Sequence, residues 1–209
     1  MGVLSSILEN KIVAIIRNIH PDNVEDIANA LYEGGIRIVE ITLNSPKALS
    51  VIENLSEDLG EKMVIGAGTV LDPESARDAL SAGAKFILSP TVNTETIKIT
   101  KRYGAVSIPG AFTPTEILTA YESGGDIIKV FPANFGLGYI KAVKGPLPHI
   151  PLLPTGGINL KNAREYIDNG AVGIGVGGSL VDSKSEVNET YLTELTNKSR
   201  QYVNVVHGK

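Results

Sequence analysis

The sequence predicts an α/β protein built as a single (β/α)8 barrel with a short amino-terminal helix, on three observations. Eight short apolar runs of strand length recur along the 209 residues. Amphipathic stretches lie between them and open on helix-start residues. Several of those stretches close on glycine, which permits the left-handed conformation in which helices end. Strands that read as unbroken apolar runs are covered on both faces, which implies a parallel sheet wrapped by helices. Eight such units suit a closed barrel, near the short end of that fold's length range.

In chain order, Val3-Leu4-Ser5-Ser6-Ile7-Leu8 predicts the leading helix. Strands are expected at Ile12–Ile16, Ile36–Leu43, Met63–Leu71, Phe86–Leu88, Ala105–Ile108, Ile127–Phe131, Pro151–Leu153 and Ala171–Val176. Helix starts are expected at His20-Pro21-Asp22, Ser45-Pro46, Asp72-Pro73-Glu74, Thr113-Pro114-Thr115-Glu116 and Asn159-Leu160. Helix ends are expected at Glu33-Gly34-Gly35, Ser81-Ala82-Gly83-Ala84, Ser123-Gly124-Gly125 and Asp168-Asn169-Gly170, and Tyr191–Val206 predicts a closing helix. A doubly wound open sheet uses the same alternation, but it favours a glycine fingerprint after its first strand, and Ile16-Arg17-Asn18-Ile19 has none. Leucine-rich repeats share the period, yet their dense leucine pattern is missing. No linker or low-complexity tract divides the chain, so residues 1–209 are expected to form one domain.

Composition narrows the function classes. Lys plus Arg is 19 against 23 for Asp plus Glu, a formal net charge of −4 without a run of like charges, so neither nucleic acid nor a membrane surface is an expected partner. Cysteine is absent, which excludes disulfides and thiolate metal sites and fits a reducing compartment. No segment reaches the roughly 18 uninterrupted apolar residues of a membrane span, and Glu9, Asn10 and Lys11 interrupt any signal-like start. A cytoplasmic protein is expected.

The most informative residue is Lys129, inside the apolar run Ile127-Ile128-Lys129-Val130-Phe131 between Asp126 and Pro132. An ammonium among aliphatic side chains loses hydration, its pKa falls, and a partly neutral lysine is a nucleophile able to condense with a carbonyl. The plainer alternative is a strand-end lysine whose stem is buried and whose head reaches water. Glu40 lies in Ile38-Val39-Glu40-Ile41, where a carboxylate either pairs with a cation or has its pKa raised toward neutrality. Glu40 and Lys129 read equally as a proton-transfer pair or as a buried structural ion pair. Arg17, at the end of the first strand, has the paired donors that fork onto a carboxylate or phosphate, or else makes a salt bridge at the rim.

The loops after the last two strands are more specific. Pro154-Thr155-Gly156-Gly157-Ile158 and Gly175-Val176-Gly177-Gly178-Ser179 stand where barrels of this kind build phosphate sites from backbone N–H groups. His20, His149 and His207 are far apart in sequence, so no metal site is expected.

With these residues in hand, the chain resembles the 2-keto-3-deoxy-6-phosphogluconate (KDPG) and 4-hydroxy-2-oxoglutarate (KHG) aldolases. Val39-Glu40-Ile41-Thr42, Ile65-Gly66-Ala67-Gly68-Thr69-Val70, Ile87-Leu88-Ser89-Pro90, Pro109-Gly110, Lys129-Val130-Phe131-Pro132 and Pro154-Thr155-Gly156-Gly157 stand in that family's order and spacing. The resemblance implies a homotrimer and a metal-independent, cofactor-free class I aldolase acting on a 2-keto-3-deoxy sugar-acid phosphate. It implies that Lys129 is the Schiff-base lysine and Glu40 the proton-transfer glutamate. It places substrate binding on Arg17, Thr69, Pro90, Phe131, Thr155, Gly156, Gly157, Gly178 and Ser179, with Thr69 toward the pyruvate-derived carboxylate and the last loop toward the phosphate. Many members carry an arginine two residues after the matching threonine of the second strand, where this chain has Asn44; Arg17 therefore takes the carboxylate clamp. Leu43-Asn44-Ser45-Pro46 also resembles the 6-phosphogalactonate branch, whereas Thr42 and Thr155 fit the phosphogluconate branch, which is the expected substrate. A phosphosugar isomerase or epimerase, or a non-catalytic sugar-phosphate sensor, is the rival from another class.

Overall fold

Each apolar run forms a strand. In the computed structural model, which describes residues 2–208, the order is α1 (Val3–Asn10), β1 (Ile12–Ile16), α2 (Pro21–Glu33), β2 (Ile38–Thr42), α3 (Ala48–Leu59), β3 (Val64–Gly68), α4 (Pro73–Ser81), β4 (Phe86–Leu88), α5 (Thr94–Arg102), β5 (Val106–Ile108), β6 (Gly110–Ala111), α6 (Pro114–Glu122), β7 (Ile128–Val130), α7 (Leu137–Lys144), β8 (Leu152–Pro154), α8 (Ala163–Asp168), β9 (Ile174–Val176) and α9 (Glu189–His207). Pro109, which has no N–H to give a ladder, separates β5 from β6. The sixth, seventh and eighth expected strands are therefore β7, β8 and β9.

Every pairing is parallel, in a six-stranded order β5-β4-β3-β2-β1-β9 and a three-stranded order β6-β7-β8. The result is an α/β fold with a curled parallel sheet. Hydrogen bonds join the two groups of strands on both sides. Lys129 N–H donates to Pro109 O and Asp126 N–H to Ser107 O, each at 2.9 Å, and on the other side Val172 N–H donates to Leu152 O at 2.9 Å beside a Thr155–Gly175 bridge.

The side-chain period of two sorts the strands into faces. Ile12, Ala14 and Ile16 of β1, with Val39 and Ile41 of β2, point outward into a large cluster shared with the helices. Val13, Ile38, Phe86, Leu88, Ile108, Ile127 and Leu153 point inward into a second cluster, which Ile7 of α1 plugs from below. By the same alternation Ile15 and Arg17 follow Val13, Glu40 and Thr42 follow Ile38, and Lys129 and Phe131 follow Ile127 on the inner side. The polar residues thus stand above an apolar floor.

Several helix starts follow local chemistry. Asp72 Oδ1 accepts from Ser75 N–H at 2.7 Å ahead of Pro73, and Thr113 and Glu116 form a reciprocal capping box around Pro114. The four expected glycine endings are present, with Gly35, Gly83, Gly124 and Gly170 all at positive φ. β2, β3 and β9 are shorter than their apolar runs, and three helix starts differ. Ser45-Pro46 does not start α3, because the Ser45 hydroxyl and N–H are held in a turn with Asn18 and Thr42, and the helix begins at Ala48 after Lys47 at φ 50°. Asn159 caps a turn through Lys161 N–H, which delays α8 to Ala163. The closing helix runs longer than Tyr191–Val206, since Asn188 caps it two residues earlier by accepting from Tyr191 N–H at 3.0 Å. No helix among the described residues is long and apolar enough to cross a membrane.

Gly110 packs against the backbone of Ser89 and Pro90, where an added Cβ would run into the Pro90 carbonyl. Backbone cannot move aside as a side-chain end can, so Gly110→Ala is expected to lower stability by about 1–3 kcal/mol, the usual cost of overpacking. A urea midpoint equal to wild type would contradict this packing.

Candidate active site

Glu40 is fully buried on β2, and neither carboxylate oxygen has a hydrogen-bond partner among the described residues. Room for it comes from glycine on the neighbouring strand: a Cβ on Gly68 would meet the Glu40 carboxylate, and one on Gly66 would meet the Phe86 ring. Burial raises the Glu40 pKa, and the charges of Lys129 and Arg17 oppose that rise. Lys129 is 2% exposed on β7, with Nζ 4.9 Å from the Phe131 ring centroid. Burial lowers its pKa, Glu40 raises it, and Arg17 lowers it further. In both groups desolvation is the larger effect, so each is driven toward its neutral form. The structural ion-pair reading does not hold: no salt bridge within 4.0 Å joins the two among the described residues.

Lys129 opens into a cavity of about 430 Å³ at the carboxy-terminal ends of the strands. Arg17, Phe131 and Thr155 line it together with the loops Gly156–Asn159 and Gly177–Ser179, the second of which follows β9, the neighbour of β1. The guanidinium of Arg17 lines this space and no carboxylate does, which suits an anionic ligand. Arg17 Nη2 donates to Thr69 Oγ1 at 3.5 Å, a long contact, and no acidic residue pairs with the guanidinium among the described residues. The rim salt-bridge alternative for Arg17 is thereby removed. Thr69 has φ 58°, an outlier for a β-branched residue, of the kind that clusters at functional sites.

Gly156 and Gly157 adopt φ of 95° and 77°, and among the described residues no protein acceptor takes the N–H groups of Gly156, Gly157, Gly178 or Ser179. Both loops therefore present unpaired donors. The Ser179 hydroxyl itself donates to Ile158 O at 2.5 Å and so ties one loop to the other.

The expected residues are brought together with exceptions. Glu40 and Thr69 are not among the residues that line the cavity, although Thr69 touches Arg17, which is, and Pro90 is half-buried with its carbonyl against Gly110. Asn44 is exposed beyond β2. Sequence reading missed Ile15, which the period of two places beside Arg17, and Asn159, whose side chain reaches Gly157 O at 3.3 Å. It also missed the role of Ser45, whose hydroxyl accepts from Asn18 N–H and bonds Thr42 Oγ1, each at 2.9 Å, linking the ends of β1 and β2. The three histidines lie apart, and no cluster able to hold a metal ion exists among the described residues.

A family model for KDPG and KHG aldolase matches residues 3–197. The chain belongs to the KDPG and KHG aldolase family. Its members are carbon–carbon lyases. The chain is 38% identical over 181 residues to the 2-dehydro-3-deoxy-6-phosphogalactonate aldolase of Escherichia coli K12, covering 86% of this chain and 88% of that protein. It is 33% identical to the 2-dehydro-3-deoxy-phosphogluconate aldolase of Treponema pallidum, over 93% of this chain and 94% of that one. Among solved structures it resembles a KDPG aldolase from Legionella pneumophila with pyruvate captured at low pH as a covalent carbinolamine intermediate, at TM-score 0.81 and 27% identity, covering 98% and 97% of the two chains.

The coupling of the two buried groups has a measurable sign. Glu40→Gln removes the negative charge that holds the ammonium form, so the pH midpoint for borohydride capture of pyruvate on Lys129 should move lower than in wild type, where it already lies below an ordinary lysine's. A midpoint that moves upward, read by intact mass across a pH series, would contradict this electrostatic arrangement.

Proposed function

We propose that the chain is a metal-independent class I aldolase that cleaves 2-dehydro-3-deoxy-6-phosphogluconate to pyruvate and glyceraldehyde 3-phosphate, and that it also accepts 4-hydroxy-2-oxoglutarate, giving pyruvate and glyoxylate. The observation that carries this reading is the buried Lys129, driven toward its neutral form at the edge of a cavity with no carboxylate lining it.

Neutral Lys129 attacks the C2 ketone, and loss of water from the carbinolamine leaves an iminium. The C3–C4 bond breaks as the C4 hydroxyl proton passes to Glu40, directly or through one water, and the electron pair flows into the iminium as an enamine. Glu40 returns a proton to C3, and water hydrolyses the imine to free pyruvate and the lysine. Arg17 and Thr69 hold the substrate carboxylate, with Phe131 and Thr155 along the chain and Gly156, Gly157, Gly178 and Ser179 at the phosphate, so that the ketone meets the amine at close range. Pro90 acts only through the backbone it packs on.

A phosphosugar isomerase or a sugar-phosphate sensor uses the loops but has no need of a buried lysine. A second substrate reading, the galactonate epimer, is favoured by Leu43-Asn44-Ser45-Pro46 and by the Escherichia coli relative; Thr42 and Thr155 favour gluconate. We further propose that residues 1–209 act as one domain, that the curled sheet is a closed (β/α)8 barrel, as the hydrogen bonds on both sides support, and that the enzyme is a cytoplasmic homotrimer, as the family resemblance supports.

Sodium borohydride with pyruvate should add one reduced adduct per chain at Lys129, and Lys129→Ala should lose adduct and turnover while folding; no adduct, or one elsewhere, would sink the aldolase reading. Turnover should survive prolonged EDTA, and kcat/KM should be higher for the gluconate than for the galactonate epimer. Arg17→Ala should weaken pyruvate binding at least about tenfold, given roughly 1.5–3 kcal/mol for a hydrogen bond to a charged group, and identical pyruvate titrations of the two proteins would move the carboxylate to Thr69 and backbone N–H groups.

A further inference from the structure

We propose that Tyr202 is a positioning residue for the phosphate end of the cavity: through Ser179 it sets the separation of the two glycine loops that receive the anion. The proposal rests on the aldolase reading for its substrate, but not for its geometry.

Tyr202 is fully buried on α9, far in sequence from every group of the reaction. Its hydroxyl donates to Ser179 Oγ at 3.1 Å and lies 3.5 Å from Ser179 O. Ser179 Oγ in turn donates to Ile158 O at 2.5 Å. Three groups thus form one chain of hydrogen bonds, from helix to second loop to first loop. Burial raises the phenol pKa, so Tyr202 keeps its proton and remains a donor.

A serine hydroxyl has a single proton. Here it is committed to Ile158 O, so Ser179 cannot give it to a phosphate oxygen without releasing the first loop. Anion contact then falls to the unpaired N–H groups of Gly156, Gly157, Gly178 and Ser179. Such donors are fixed by the backbone, and whether both loops reach one phosphate depends on the gap between them. The Tyr202–Ser179–Ile158 chain spans that gap. Its far end is rigid, because α9 packs on the end of α2: a Cβ on Gly34 would meet Ser199, and Gly35 lies against Val203.

The experiment compares wild type with Tyr202→Phe, which keeps the ring and removes one donor. Calorimetric titration with inorganic phosphate and steady-state cleavage of the 6-phosphorylated substrate should show the phosphate Kd and the KM rising together by about three- to tenfold, the span of a neutral hydrogen bond's net contribution. The kcat and borohydride capture of pyruvate should not change, since neither involves the distal loops. Should Tyr202→Phe fail to fold, Ser179→Ala breaks the same chain from the middle and should raise the phosphate Kd. Where both fold, the double variant should bind phosphate as Ser179→Ala does, because the two residues act in series. Unchanged phosphate Kd in folded Tyr202→Phe or Ser179→Ala, additive effects in the double variant, or an equal loss on unphosphorylated 4-hydroxy-2-oxoglutarate would overturn the proposal. The phosphate titration needs no turnover. A missing pyruvate adduct in wild type would therefore defeat the aldolase reading while leaving the role of Tyr202 to be decided on its own.

Discussion

The structure depends on keeping one lysine and one glutamate dry without letting them pair. Removing an ammonium or a carboxylate from water costs several kcal/mol even after relaxation. Mutual attraction returns about 4 kcal/mol at 4 Å for an effective dielectric near 20, and less beyond. Lys129 and Glu40 are not joined within 4.0 Å, so desolvation outweighs attraction and both are driven toward neutrality. Much else follows from that imbalance. The strand alternation that buries Val13, Ile38 and Ile127 supplies the apolar floor, Ile7 seals it, and Gly66 and Gly68 leave volume where a side chain would displace the Phe86 ring or the Glu40 carboxylate.

Much of the fold was legible because its signals are local. An unbroken apolar run, a proline at a helix start or a glycine at a helix end each acts within a few residues, and these located all eight expected strands. What stayed hidden depended on partners distant in sequence. Ser45-Pro46 carries the residues of a helix start, yet Ser45 is claimed by Asn18 from the end of β1, and α3 waits until Ala48. The expected fifth strand ends at Ile108, yet beyond Pro109 the residues Gly110 and Ala111 pair with β7.

The site divides in the same way. Lys129 and Glu40 stood out because a charge in an apolar run is anomalous in one dimension, and the two glycine loops because their composition is. Pro90 carries no signal beyond its motif, and its carbonyl packs on Gly110. The positive φ of Thr69 has no compositional signal, because threonine is among the last residues one would assign to that conformation. Tyr202 is equally silent in sequence: on an amphipathic helix it reads as a core aromatic, which it also is, and only its hydroxyl partner distinguishes it.

On the proposed reading the cavity offers two kinds of donor to negative charge, and their difference would orient a substrate carrying an anion at each end. Arg17 offers a guanidinium whose parallel donors suit the planar, paired oxygens of a carboxylate. The two glycine loops offer neutral N–H groups on a backbone held by hydrogen bonds, suited to a tetrahedral phosphate whose oxygens point in several directions. A chain with net charge −4 gives no general attraction for a polyanion, so recognition must come from these local donors. If both ends were cationic side chains, a phosphate could settle beside Lys129 and a carboxylate at the loops, leaving the ketone out of reach of the amine. On that reading, matching the guanidinium to the carboxylate and the fixed dipoles to the phosphate would make the productive orientation the better matched one, with C2 over the buried nitrogen.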